Sequence, residues 1–175
     1  MTRCASDERI TIIGNAGGGK STLARRMATS KNLAYVEVDR LLWLPGWELA
    51  PEADYQAAHE RAIEADSWMI DGLGQQASIE PRLRRATWII LVDMPLWVHF
   101  WLAAERQIAW RQGDLDHPPA GGNAPPPMDA LFRTIWEIDR DWMPKVRDLV
   151  DLEQKRGKRV ERLSSFDQLQ NYASA

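Results

Sequence analysis

A chain of 175 residues, 45% hydrophobic and 27% charged, has the length of one ordinary domain, and its composition excludes a disordered, collagen-like or disulfide-stapled protein. The formal net charge of −3 gives no global basic field, which leaves nucleic-acid binding a minority reading. The lone cysteine, Cys4, forms no internal disulfide, no apolar run approaches the ~18 residues of a membrane span, and the N-terminus lacks a secretory apolar stretch, so the expected compartment is the cytoplasm without membrane insertion.

In chain order, Ile10-Thr11-Ile12-Ile13 predicts a strand that runs into a glycine-rich turn and then a helix starting at Ser21. A second strand is expected over 33–38 and a helix over 51–65, with Pro51 where a first turn tolerates proline. Strands follow at Trp68-Met69-Ile70, ending at Asp71-Gly72, and over 87–92, ending at Asp93. After Pro95 the spacing of Trp97, Trp101, Ala104 and Ile108 predicts an amphipathic helix, and Leu131, Ile135, Ile138, Trp142, Val146 and Leu149 predict another. Trp97, Trp101, Trp136 and Trp142 are thereby assigned to the core. The intervening 112–128, with five prolines and three glycines, reads as a flexible insertion. A short strand over 159–163 and a helix over 166–172 close the chain. Alternating strands and helices imply an α/β fold with a mostly parallel sheet and helices on both faces, where ligands bind at the carboxyl ends of the strands.

At the first of those ends, Gly14-Asn15-Ala16-Gly17-Gly18-Gly19-Lys20-Ser21 satisfies the phosphate-loop pattern G-x-x-x-x-G-K-[ST] between a strand and a helix. Glycines let successive N–H groups turn inward around an anion, and the helix dipole adds positive charge there. ATP is the expected nucleotide, with Gly14, Asn15, Ala16, Gly17, Gly18, Gly19, Lys20, Ser21 and Thr22 around its phosphates, Lys20 on the β- and γ-oxygens and the Ser21 hydroxyl on Mg²⁺. No Asn-Lys-x-Asp guanine reader is present, and the chain is short for a motor ATPase. What remains is a compact phosphotransferase with a second pocket for an acceptor.

The stretches 14–22, Val38-Asp39-Arg40-Leu41-Leu42-Trp43-Leu44-Pro45-Gly46-Trp47, Trp68-Met69-Ile70-Asp71-Gly72 and Leu91-Val92-Asp93-Met94-Pro95 resemble adenylate-kinase-related proteins, and more narrowly the small proteins labelled DNA topology modulation or FlaR-like. The resemblance spans about residues 8–111. It implies a five-stranded P-loop kinase fold with one domain over 1–175, an acceptor-binding region over 39–66 and a lid over 112–128. The chain departs from the family pattern at Leu73-Gly74, where the family reads Asn-Tyr, and at Gln76, where an arginine is expected.

Asp71, ending a buried-type strand before glycine, is the candidate carboxylate beside Mg²⁺, with a turn-forming role as its alternative. Asp39 is a candidate proton acceptor or metal contact, or else a helix N-cap. Asp93 reads as the cap of the helix near Pro95. Trp43 and Trp47 either wall a pocket for a planar acceptor or plug the core. Transfer spreads negative charge over the phosphoryl oxygens, so arginines are needed: Arg82 on the acceptor side, and Arg106 and Arg111 at the end of the helix entering the lid, where related kinases carry catalytic arginines. His59, His99 and His117 lack metal-ligand spacing. The leading reading is an ATP-dependent, Mg²⁺-assisted phosphotransferase acting on a small acceptor, a nucleotide or nucleoside. Its rival is a nucleotide-binding regulatory protein without efficient transfer, whose basic clusters are Arg82-Leu83-Arg84-Arg85 and Lys155-Arg156-Gly157-Lys158-Arg159.

Overall fold

The structure is a computed structural model describing residues 7–115, 117–119, 121–122 and 124–174; Cys4 lies outside them. Along the chain run β1 (Arg9–Gly14), α1 (Lys20–Lys31), β2 (Tyr35–Glu37), α2 (Val38–Leu42), β3 (Trp43–Leu44), β4 (Glu48–Leu49), α3 (Glu52–Glu64), β5 (Trp68–Asp71) and α4 (Gln76–Arg85). They are followed by β6 (Trp88–Val92), α5 (Leu96–Gln112), α6 (Met128–Glu137), a π-helical turn (Ile138–Trp142), α7 (Met143–Lys155), β7 (Arg159–Leu163) and α8 (Phe166–Ser174). Five strands form one parallel sheet in the order β2-β5-β1-β6-β7, and β3 pairs with β4 as a separate antiparallel ribbon. No helix among the described residues is long and apolar enough to cross a membrane.

The period of two along each strand sorts its side chains between two cores. Ile13, Trp68, Ile70, Ile89 and Leu91 pack with Tyr55 and Ile63 of α3, Ile79 and Leu83 of α4, and Val146 and Val150 of α7. On the other face Ile10, Ile12, Met69, Trp88, Ile90 and Val92 pack with Leu23 and Met27 of α1, Val98 of α5 and Leu169 of α8. Covering both faces is what a parallel sheet requires, and it explains the nearly unbroken apolar runs of β5 and β6.

Three local departures from the sequence expectation matter for the site. The second strand stops at Glu37, and the chain turns at once into the helical residues Val38–Leu42. Helix α4 lies where the sequence reading places no element, and it holds Pro81 inside it, a residue that removes one helix hydrogen bond. The ribbon β3–β4 lies between the expected second strand and the helix over 51–65, where no strand is expected.

Three tryptophans assigned to the core prove exposed: Trp97 at 65%, Trp101 at 43% and Trp136 at 46%. Helical spacing identified α5 correctly but picked its outer stripe. The buried face of α5 is Val98, His99, Ala103 and Gln107, two of them polar, so apolarity alone pointed the wrong way. Trp142 does pack against the core. Between α6 and α7 the helix widens into the π-turn, just ahead of Pro144, which has no N–H to give the Arg140 carbonyl.

Candidate functional site

Strand register brings the carboxyl ends of β1, β2, β5 and β6 to one edge. Gly14 lies opposite Val92, Ile12 opposite Asp71, and Asp71 opposite Glu37. The phosphate loop leaves this edge and is tied at its first residue. The Asn15 amide donates to the Ile135 carbonyl at 2.8 Å, and its side-chain oxygen accepts the Ala16 N–H at 2.7 Å. Lys20, at the start of α1, folds back so that Nζ donates to the Asn15 carbonyl at 2.6 Å. Burial lowers the Lys20 pKa, while Asp39 and Asp71 oppose that loss of charge.

Ser21 sits one residue further and donates from Oγ to Asp71 Oδ2 at 2.6 Å. The other carboxylate oxygen accepts the Tyr35 hydroxyl at 2.8 Å. Asp71 is therefore fixed from both sides, and burial pushes its pKa up to about 6 against the pull of Ser21, Lys20 and Tyr35. Mg²⁺ takes hard oxygen ligands, usually one or two from protein with the rest from water and phosphate. The adjacent Ser21 hydroxyl and Asp71 carboxylate fit that requirement. Tyr35 was missed in the sequence; it reaches Asp71 diagonally across β2 and β5, a neighbour relation that exists only once the register is set.

Asp39 is open to solvent in the second position of α2, and Glu37, not Asp39, occupies the N-cap position of that helix. Its Oδ1 lies against Gly72, where an added Cβ would meet it at 3.5 Å. The charges facing Asp39 are Lys20, Glu37, Arg106 and Arg82. Arg106, on the inward side of α5, keeps a buried Nε without a hydrogen-bond partner among the described residues. Its pKa is lowered by burial and supported by Asp39 and Glu37.

Arg82 has a different position from the one expected. It is fully buried in α4, and Nη2 donates to the carbonyls of Gly72 at 2.7 Å and Leu73 at 3.2 Å. Burial lowers its pKa to about 10. Arg82 thus braces the turn that carries Asp71 instead of facing the acceptor directly. Arg111 stands exposed in the last turn of α5, five residues and about 140° around the helix from Arg106. The structure gathers Lys20, Ser21, Asp39, Asp71 and Arg106 at one edge, supports them with Arg82, and leaves Arg111 apart.

Asp93 does not cap α5. Pro95 holds the N-cap position, and the Asp93 carboxylate accepts Arg147 Nη2 at 2.8 Å and Nε at 3.0 and 3.1 Å. The fork geometry of a guanidinium outcompetes a single backbone N–H for a carboxylate.

Trp43 and Trp47 belong to neither core cluster. Trp47, at a left-handed φ of 62°, meets Trp43 edge-to-face at 5.8 Å and Trp110 at a tilt at 6.1 Å between ring centres. It also clasps the segment between α5 and α6. Its N–H donates to the Gly121 carbonyl at 2.7 Å and its indole N–H to the Ala124 carbonyl at 3.2 Å. A Cβ on Gly121 would lie 2.1 Å from the Trp47 ring, so glycine alone permits this approach. Gln107 adds a bond to the Pro126 carbonyl at 2.8 Å. The segment 112–128, expected as a lid, is in these described parts tied to the β3–β4 ribbon; residues 116, 120 and 123 lie outside the described set.

Both basic clusters are engaged internally. Arg84 pairs with Glu80, and Arg85 donates to the Ile63 and Glu64 carbonyls. Arg156 and Lys158 converge on Glu153, while Arg159 pairs with Glu161 and covers the Trp88 ring.

By sequence, the chain matches no protein-family model and no curated protein. Its three-dimensional structure does have relatives. It superposes on shikimate kinase from Bacteroides thetaiotaomicron with a TM-score of 0.52 at 15% identity, covering 95% of this chain and 94% of that one. Shikimate kinase from Acinetobacter baumannii, solved in complex with shikimate, gives 0.53 at 14% identity, covering 83% and 88%. A gluconokinase from Sinorhizobium meliloti gives 0.45 at 16% identity, covering 86% and 95%. The chain therefore has the P-loop fold of shikimate kinase, with its five-stranded parallel sheet and flanking helices.

Proposed function

We propose that the protein is an ATP-dependent phosphotransferase that moves the γ-phosphoryl group to a small acceptor, a nucleotide or nucleoside. The observation that carries this reading is the meeting, at one sheet edge, of a phosphate loop with a lysine, a serine–carboxylate pair suited to Mg²⁺, and a separate carboxylate, Asp39, among cations. Lys20 leaves the Asn15 carbonyl for the phosphate oxygens. Ser21 and Asp71 would hold Mg²⁺, which would supply positive charge toward the phosphate oxygens. Asp39 takes the proton of the acceptor hydroxyl as its oxygen bonds to phosphorus and the bond to the β-phosphate oxygen breaks, releasing ADP. Arg106, with an uncommitted buried N–H, meets negative charge on the transferring group or on the acceptor. Arg82 acts through the turn it braces. Arg111 is kept as a residue that reaches the site only if α5 and the lid segment move.

One observation favours the regulatory alternative, in which nucleotide binds without efficient transfer. Leu73, standing where the resembling family has asparagine, is buried in the core, so the turn offers the acceptor no polar side chain there. Both readings are tested by incubating the protein with γ-labelled ATP, Mg²⁺ and a panel of nucleosides, nucleotides and small alcohols, with Lys20→Ala as control. Label on an acceptor, absent from the control, is the expected result. Tight ATP binding with label remaining on ATP or released only as phosphate overturns the transferase reading in favour of the regulatory one.

A further inference from the structure

His99 belongs to no motif, yet it is one of the most buried polar side chains in the molecule, 1% exposed on the inner face of α5. Its ring lies under the phosphate loop. Nδ1 is 2.9 Å from the Ala16 carbonyl, and a Cβ on Gly18 would come within 3.0 Å of ring atom Cε1. The main chain is equally close, since a Cβ on Gly17 would lie 2.7 Å from the His99 carbonyl oxygen. The first half of the loop therefore rests on one turn of α5, with no room for any side chain between them.

A carbonyl oxygen only accepts, so Nδ1 must carry the proton of this hydrogen bond. Burial first, and then nearby Lys20, lower the pKa of His99 against the Ala16 hydrogen bond and the charges of Asp139 and Asp93, which keeps the imidazole neutral with its single proton on Nδ1. No peptide bond among the described residues is cis. In a trans peptide the C=O and N–H of the same unit point in opposite directions. Holding the Ala16 carbonyl toward α5 consequently directs the Gly17 N–H away from α5. Glycine at position 17, with φ of 73°, has little intrinsic preference between this orientation and its flipped counterpart.

We propose that His99 is a positioning residue for nucleotide phosphate: by donating to the Ala16 carbonyl it locks the Ala16–Gly17 peptide with its N–H turned into the phosphate cradle. The inference rests on the reading of 14–21 as a nucleotide-phosphate site. In the flipped state the Ala16 carbonyl would face the cradle and repel phosphate oxygens, so one side-chain hydrogen bond outside the motif decides whether the loop presents a donor or an acceptor. The ligand class is a polyphosphate ester, and the effect falls on the nucleotide, not on the acceptor.

The test compares His99→Leu, which removes the donor, with His99→Asn, whose Nδ2 can take the place of Nδ1. His99→Ala serves as the deletion variant if the leucine protein does not fold. In the ligand-free proteins, the Gly17 amide nitrogen shift and exchange rate report the peptide orientation directly. Titration with ATP and with inorganic pyrophosphate reports the consequence. The leucine variant is expected to show a displaced Gly17 resonance and about tenfold weaker binding of both ligands, with the asparagine variant within about threefold of the parent. A Gly17 resonance unmoved in the leucine variant overturns the proposal, as does an asparagine variant as impaired as leucine. If the parent protein binds neither ATP nor pyrophosphate, the phosphotransferase reading falls, while the Gly17 resonance still decides the role of His99.

Discussion

The two sides of the candidate site are held by different physics. On the nucleotide side, residues 14–21 are fixed by buried polar contacts from three helices: Asn15 to the Ile135 carbonyl, His99 to the Ala16 carbonyl, and Lys20 back to Asn15. Unsatisfied buried polar groups are costly, so such a network has one low-energy arrangement. On the acceptor side, the ribbon Trp43–Leu49 and the segment before α6 are held by ring contacts and a few partly exposed hydrogen bonds around Trp47. Contacts of that kind are individually weak and near solvent, and can open without unfolding the sheet. In the proposed reading, the phosphate chemistry belongs to the rigid side and the cover to the yielding one.

The sharpest test of that division is Lys20→Ala, for which we expect a loss of about 10³-fold in transfer with a melting temperature unchanged to within a few degrees, because the charge opposing the transferring group disappears while the Asn15 and His99 anchors of the loop remain. Measured turnover of a folded variant near the parent value would mean that the rigid side is not where the chemistry happens. Next in size is the contrast between the two strand-end carboxylates. Asp71→Asn should cost at least about 100-fold in turnover with a changed Mg²⁺ dependence, whereas Asp93→Asn should leave turnover within about threefold and lower stability by about 1 kcal/mol, since it only weakens a partly exposed pair with Arg147. Parallel kinetics and thermal melts of the two variants separate these outcomes; equal kinetic losses would break the assignment.

A smaller effect is expected on the yielding side. Trp47→Ala or Gly121→Ala should raise the acceptor KM about tenfold while the ATP KM moves less than about threefold, and should increase cleavage within 113–127 by a probe protease. A rise confined to the ATP KM would show that the clasp serves the nucleotide.

The last effect is on stability alone, and it has opposite signs in two places. Asp71 has a folded-state pKa of about 6 against an ordinary 3.8. The folded protein therefore holds a proton that the unfolded chain releases, and this contribution to stability is lost as pH rises from about 4 to about 6. Asp71→Asn should accordingly be more stable than the parent at pH 7 by at most about 3 kcal/mol, the gap closing toward pH 4. His59, stacked on Tyr55 at 5.9 Å between ring centres, has a pKa lowered to about 4 from 6.5 by burial and by Arg82. It must protonate on unfolding, so stability falls as pH drops from about 6.5 to about 4, and His59→Gln should flatten that acid limb in denaturant melts. Superimposable stability curves for parent and variants would refute both shifts.

Short-range chemistry was legible from residue order alone. The phosphate-loop pattern from Gly14 to Ser21, and with it the strand–turn–helix start of the P-loop fold, was readable because the pattern needs particular residues at fixed spacing on one continuous turn. The apolar runs at Trp68 and Trp88 announced buried parallel strands because such strands lack a solvent face. Asp71, at the end of β5, was placed near the loop by the same logic; Asp39 lies near it too, although β2 stops at Glu37 and Asp39 stands in the first turn of α2.

Whatever depends on which faces meet was decided by tertiary structure. The helical period of α5 was readable, but its inward face carries His99 and Gln107 while Trp97 and Trp101 face solvent, because backbone carbonyls of the loop and of the segment before α6, invisible in the local sequence, pair with the His99 Nδ1 and the Gln107 amide nitrogen. Tyr35 reached Asp71 only through strand register. Arg82 became a brace because α4 packs it beneath the Gly72 turn. Asp93 exchanged a local cap for Arg147, 54 residues away. Sequence specifies groups that act through their immediate neighbours in the chain; hydrogen bonds and charges act through space, so the partner each buried polar side chain finds is fixed only when the helices close on the sheet.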